Sequence, residues 1–139
     1  MALPGIILAC AGGLDLGKRG ELMRRDVMTD RYGLQISTGS ERAADAYQRG
    51  VDLYLAGVAG VEEALQEATQ ADPEFAPAHV ALARNFQTFG HMSQAKAALA
   101  AARGCDRVLT PREAAQLEIF GHLIDGRAGQ GCVCAPARR

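Results

Sequence analysis

Three groups of residues have types and spacings that could do chemistry. The first is "GGLDLGK", where Gly12 to Lys18 spells G-x-x-x-x-G-K. A phosphate-binding loop needs Ser or Thr after its lysine, because that hydroxyl holds Mg²⁺. Arg19 stands there instead, and Asp15 would put a carboxylate inside the phosphate cradle. The spacing therefore predicts no nucleotide site. The second group is the thiols. Cys132 and Cys134 form C-x-C, which supplies two thiolates where structural zinc wants four ligands, and Cys10 and Cys105 stand far from them. No metal and no cofactor are expected. The third group is His79, His91 and His122 with the acidic cluster Glu62, Glu63 and Glu67. His79 is expected at a large packing position of a helix, His91 beside a turn glycine in solvent, and the glutamates on a wet helix face. No nucleophile–base pair emerges, so the chain is not expected to be an enzyme.

The charge balance is consistent with that reading. Fifteen Lys and Arg against sixteen Asp and Glu give a net charge of −1, so no global field favours nucleic acid or an anionic membrane. Hydrophobic residues supply 48 % of the chain but aromatics only 5 %, with alanine making up much of the difference. Such a composition favours close-packed helices over sheets, since alanine has the best helix propensity and adds little to a strand face. Four scattered cysteines are too few for a disulfide framework. "IILAC" resembles a lipoprotein cleavage box, but no Lys or Arg precedes Ile6 and the apolar core is short. A cytoplasmic location is the expectation.

The elements that would position any site are legible from Met28 onward. The chain runs extended through "GLQIS", and Thr38 followed by Glu41 fits a capping box, with Ser40 the alternative cap, so a helix starts near residue 40. Gly57 is its expected stop. "GVEEALQEATQADP" gives a second helix with Val61, Leu65 and Ala68 on one stripe, ended by Asp72-Pro73. A third begins near Ala76, with His79, Leu82, Ala83 and Phe86 on one face, and Gly90 ends it. A fourth carries Met92, Ala95, Leu99 and Ala102. The fifth opens on Thr110, Pro111 and Glu113, a cap, a first-turn proline and the residue that closes the box. Its apolar side is Leu117, Phe120, Leu123 and Ile124.

Helix pairs of this kind suggest a repeat. Pro73 and Arg107 stand one period of 34 residues apart (107 − 73 = 34), the length of the tetratricopeptide repeat. Within that span Ala83 and Ala95 allow close approach of two helices, and Phe86 and Leu99 fill the space between them. Arg107 stands where the repeat usually has proline. Residues 42–73 make a divergent preceding copy, and Thr110 onward supplies the first helix of a third. The expected fold is all-α, an antiparallel helix-pair, tetratricopeptide-like solenoid fragment.

"DRYGLQISTGSERAADAY", "ADPEFAPAH" and "LTPRE" together resemble the N-terminal part of the tetratricopeptide repeat protein 38 family, over about residues 30–126. The resemblance implies a longer, all-helical protein of which this chain carries the first part. The expected organisation is a non-native or disordered extension over 1–27, with Met28 as the native start, helical repeats over 28–126, and a disordered tail over 127–139. "RAGQGCVCAPARR" has no apolar periodicity, which suggests a frameshift or premature end near Gly126.

A tetratricopeptide groove is lined by the first helix of each repeat. On the central repeat that face is expected to present Val80, Arg84, Gln87 and Thr88 to a partner. Some repeats of this class hold a partner's C-terminal carboxylate with Lys and Asn. Ala46 and Gly50 in the preceding copy make that clamp absent here. The expected function is a non-catalytic protein–protein interaction module that holds a protein or peptide in a concave groove. The alternative is a fragment of an oxidoreductase-like enzyme whose active site lies outside this chain. The fifth helix, lacking a partner, is expected to expose its seam from Leu117 to Ile124 and to promote self-association.

Overall fold

A computed structural model describes residues 27–127. The extension expected over 1–27 and the tail expected over 127–139 lie outside the described residues, apart from Val27 and Arg127 themselves. The "GGLDLGK" loop and the Cys132–Cys134 pair are outside them too.

The described part is mostly helical. It opens with a short antiparallel hairpin, β1 (Met28–Thr29) paired with β2 (Gln35–Ile36), which the all-α expectation omitted. Asp30 shapes its turn by accepting from the backbone N–H groups of Tyr32 and Leu34, and Gly33 takes the positive φ the turn requires. Five helices follow: α1 (Glu41–Ala56), α2 (Val61–Ala71), α3 (Ala76–Thr88), α4 (Met92–Arg103) and α5 (Pro111–Ile124). They pack in adjacent pairs, α1 with α2 and α3 with α4, while α5 lies on α3 and α4.

Local chemistry sets several helix ends. Ser40, not Thr38, is the N-cap of α1, its hydroxyl accepting from the Ala43 N–H at 3.2 Å. Thr38 is drawn away from that role because its own hydroxyl, fully buried, donates to Asp72 Oδ2 at 2.6 Å. Gly57 closes α1 in the left-handed conformation, φ 67°. At α5 the full capping box forms: Thr110 Oγ1 accepts from the Glu113 N–H, and Glu113 Oε2 accepts from the Thr110 N–H at 2.8 Å.

The core follows the expected stripes. Leu82, Ala83 and Phe86 of α3 meet Ala95 and Leu99 of α4 in one buried cluster, joined by Val61 and Leu65 of α2. Ala83 and Ala95 are fully buried, consistent with a close approach of the two helices. A second cluster sets Ile36 of the hairpin against Ala43, Ala46, Ala68 and Phe75. Gly50 makes the α1–α2 approach possible: a Cβ there would lie 2.7 Å from Leu65 Cδ2.

Two packing expectations are corrected. His79 is not a core residue; it is half-buried, and Nε2 of its ring lies 2.9 Å from the Pro73 carbonyl oxygen. The α5 seam is not left open either. Ile124 is 2 % exposed, and Leu117 and Phe120 pack against Val80 and Ala102. The apolar stripe of α5 finds its cover on α3 and α4, and Ile119 is the large apolar side chain of α5 that stays in solvent.

Candidate functional site

The alternate helices α1, α3 and α5 bound a cleft of about 280 Å³. From α1 come Tyr47, Gly50, Val51, Tyr54 and Leu55; α3 gives Ala81 and Arg84; α5 gives Gln116 and Phe120. The sequence dictates this spacing. Tyr47, Val51 and Tyr54 fall at i, i+4 and i+7 of one helix, so they share a face. The lining is mainly apolar and aromatic with a few polar groups, Arg84 and Gln116 among them, a composition common to sites that bind peptides or small molecules.

Tyr47 is braced from below by Phe75, whose ring meets it edge-on with centroids 5.1 Å apart. Burial pushes the Tyr47 phenol above its usual pKa, with Arg112 pulling it back and Glu113 adding to the rise. Tyr54 shares a hydrogen bond of 3.0 Å with Thr88 Oγ1, tying α1 to α3. Arg84 donates to Gln87 Oε1 at 2.7 Å, and Gln87 Nε2 donates to the Leu123 carbonyl at 3.3 Å. This side of α3 is thereby held at both neighbours.

Of the four residues expected to face a partner, Arg84 lies on the cleft. Gln87 and Thr88 sit beside it as bracing groups, Thr88 Oγ1 also donating to the Arg84 carbonyl at 2.9 Å. Val80 does not face a groove. It is 5 % exposed, in a cluster with Ala76 and Ala102 that Leu117 and Phe120 of α5 cover. The residues that sequence reasoning left out, Tyr47, Val51, Tyr54, Gln116 and Phe120, come from the flanking helices. The i, i+4, i+7 pattern of α1 was the signal that could have found the first three.

A second cluster of polar groups joins three separated segments. Arg107 donates to Asp72 Oδ2 and to the Ser37 carbonyl, the latter at 3.0 Å. Asp72 also receives the Thr38 hydroxyl and, on Oδ1, the Glu74 N–H at 3.2 Å. Glu113, 3 % exposed, uses its other carboxylate oxygen to accept from the Ser37 N–H at 2.9 Å. Burial alone would raise the Asp72 carboxyl. The hydrogen bonds from Arg107 and Thr38 outweigh it and hold the group below the ordinary carboxylate range. The charged members are met by one another and by backbone groups, while the buried Ser37 hydroxyl has no partner among the described residues; the cluster reads as a clasp between the hairpin and the two inter-helix junctions.

The remaining candidates are dispersed. His91 is exposed, and His122 stands 3.9 Å from Glu118 Oε1 one helical turn away. Glu67 receives Arg42 at 3.2 Å and also Arg49, bridging α2 to α1, and hydrogen bonds from both arginines hold its carboxyl low. Glu62 accepts from Gln66 at 2.8 Å. Cys105 is half-buried, and burial pushes its thiol up, away from nucleophilic character. Among the described residues no three His, Cys, Asp or Glu side chains are grouped to hold a metal ion, and no helix is long and apolar enough to cross a membrane. No family model, no curated protein and no solved structure matches the chain.

Proposed function

We propose that this chain is a helical-repeat interaction module, non-catalytic, that holds an extended peptide of a partner protein in the cleft between α1, α3 and α5. The observation that carries the proposal is the cleft itself. Its aromatic and aliphatic lining suits the side chains of a peptide, and Arg84 and Gln116 suit its backbone carbonyls or an acidic side chain.

Two features support a repeat of the tetratricopeptide kind. First, α3 touches both helices of the preceding pair, mainly α2, and α5 touches both helices of its preceding pair, mainly α3. Second, side chains 34 positions apart bond to one another, Thr38 to Asp72 and Tyr54 to Thr88. In a stacked array, equivalent positions of neighbouring repeats become neighbours in space. The resemblance to the tetratricopeptide repeat protein 38 family fits the same proposal, with this chain corresponding to that family's first part.

The test is selection of a phage-displayed peptide library on the immobilised chain. Selected peptides should lose binding to V51D, which places a charge in the cleft lining, and should weaken on R84A. The control K96A, at an exposed position of α4 away from the cleft, should bind as the wild type does. Peptides that bind V51D and R84A unchanged would overturn the proposal.

A further inference from the structure

The charge in the α1–α3–α5 cleft is lopsided. One charged side chain lines it, Arg84 of α3, half-buried beside Tyr47, Val51, Tyr54 and Phe120. Among the described residues no carboxylate lines the cleft from any of its helices. Elsewhere Arg31, Arg42, Arg49, Arg103, Arg107 and Arg127 each meet a carboxylate. Arg84 meets none among the described residues, and its Nη1 donates to the neutral Gln87 carboxamide. Arg112 lacks a carboxylate too, but it is exposed and donates to the Gln35 carbonyl at 3.2 Å. Burial pushes the Tyr47 phenol up, so that side chain stays neutral and offers no countercharge. The bond to Gln87 uses Nη1 and leaves the Nε–Nη2 edge of the planar guanidinium, the edge that a carboxylate takes with two parallel hydrogen bonds.

Past Tyr47, Val51 and Gln116 the cleft continues into a hollow of about 180 Å³ beside the hairpin. Two carboxylates line that hollow, and both are spent. Asp52 pairs with Arg31, and Asp30 accepts from the Tyr32 and Leu34 N–H groups. With Arg31 and Arg112 on the same hollow the charges there balance, so that end selects no anion. An acidic group therefore belongs at Arg84, and an apolar one against Tyr47 and Val51. Gln116 lines both spaces, and its carboxamide can donate to and accept from the peptide backbone between them. In an extended chain side chains alternate, so residues i and i+2 share a face about 7 Å apart. We infer that the occupant is a segment of a partner protein with an Asp or Glu two positions from a large aliphatic residue, its side-chain carboxylate on Arg84 and its aliphatic group against Tyr47 and Val51. This inference rests on the cleft being a peptide site and names the peptide that it selects.

The test is fluorescence anisotropy of the full chain with short fluorescein-labelled Gly-Ser peptides, amidated at the C-terminus, that carry one aspartate and one leucine two positions apart. Both orders are made, because the lining does not fix the direction of the bound chain. At least one order should bind saturably and more weakly as salt is raised. Replacing its aspartate by asparagine, or its leucine by glycine, should weaken binding at least about tenfold, since a hydrogen bond to a charged group and a buried aliphatic side chain are each worth about 1.5 kcal/mol or more. R84Q should erase the preference for aspartate over asparagine. R84E should reverse it, so that a lysine peptide binds better than the aspartate one; a reversal of preference cannot come from a loss of folding. Failure of both orders to bind, equal binding of the aspartate and asparagine peptides, or an unchanged preference on R84Q would each overturn the inference. So would recovery of the asparagine peptide by a free C-terminal carboxylate, which would make the terminus the anion. If aspartate and asparagine peptides bind alike and both are lost on V51D, the cleft stands as a peptide site and the acidic requirement alone falls.

Discussion

Replacing Arg107 by alanine is the sharpest test of how the chain is held together. In the wild type this guanidinium, 20 % exposed, neutralises an Asp72 side chain that is only 9 % exposed and also ties down the Ser37 carbonyl. R107A leaves that carboxylate with the Thr38 hydroxyl and the Glu74 N–H, neither of which carries charge. Removing one partner of a buried pair costs about 3–5 kcal/mol, because the other charge is left uncompensated. Partial solvent access of the arginine argues for the low end, about 3 kcal/mol. In a domain of this size 1 kcal/mol shifts Tm by roughly 4–8 °C, so a fall of about 12–24 °C is expected. The assay is thermal and urea unfolding followed by circular dichroism, on R107A, D72A and the double variant. Side chains in one network do not add: the double variant should be more stable than the sum of the single losses predicts, by at least about 1 kcal/mol. A loss below about 1 kcal/mol for R107A, with strictly additive singles, would refute the clasp. R107P, which places there the residue expected of the proposed repeat, should also destabilise, since proline supplies neither hydrogen bond.

Further predictions follow from the same structure. Since the folded Asp72 carboxyl is held below its unfolded value, its contribution is present above the ordinary carboxylate pKa and is lost as pH falls through the lowered folded value; D72A should show a shallower acid limb in a stability–pH profile. G50A should destabilise by about 1 kcal/mol, the overpacking against Leu65 (about 1–3 kcal/mol) exceeding the helix-propensity gain, and G50A/L65A should reveal coupling in unfolding measurements. T110A should cost about 1 kcal/mol by loss of the α5 cap. E113Q, which keeps the shape but weakens both acceptor bonds, should release the hairpin and raise hydrogen exchange at the Ser37 amide. N85L should raise stability by about 1 kcal/mol, because it removes an orphaned buried polar atom, and a fall in Tm with a folded spectrum would contradict the reading of Asn85.

Five helices were legible in the amino-acid sequence because their causes are local. Ser40, Gly57, Gly90 and the Thr110–Pro111–Glu113 group act within a turn or so of where they stand, and the stripes Leu82–Ala83–Phe86 and Ala95–Leu99–Ala102 need only the helical period to be seen. The α3–α4 pairing was legible too, since small residues facing larger ones across a short turn leave few other ways to bury both. The candidate cleft was legible in one residue, Arg84.

What tertiary structure decided came from groups far apart in the chain. Thr38 and Ser40 are both competent caps, and the choice between them was made by Asp72, 34 residues on, which took the threonine hydroxyl. Val80 has the periodicity of a groove residue, and α5 covered it. The α5 seam looked unpartnered because the α3 and α4 residues that cover it, Val80 and Ala102 beside the Phe86–Leu99 cluster, were already accounted for by the pairing of those two helices. Arg107 departs from the expected repeat pattern by sequence and yet joins the hairpin to the α2–α3 junction, through a carboxylate 35 positions away. Periodicity and capping are statements about the nearest four residues. Which of two equivalent polar groups is spent on a cap, and which apolar face is covered, depends on what the rest of the chain brings alongside.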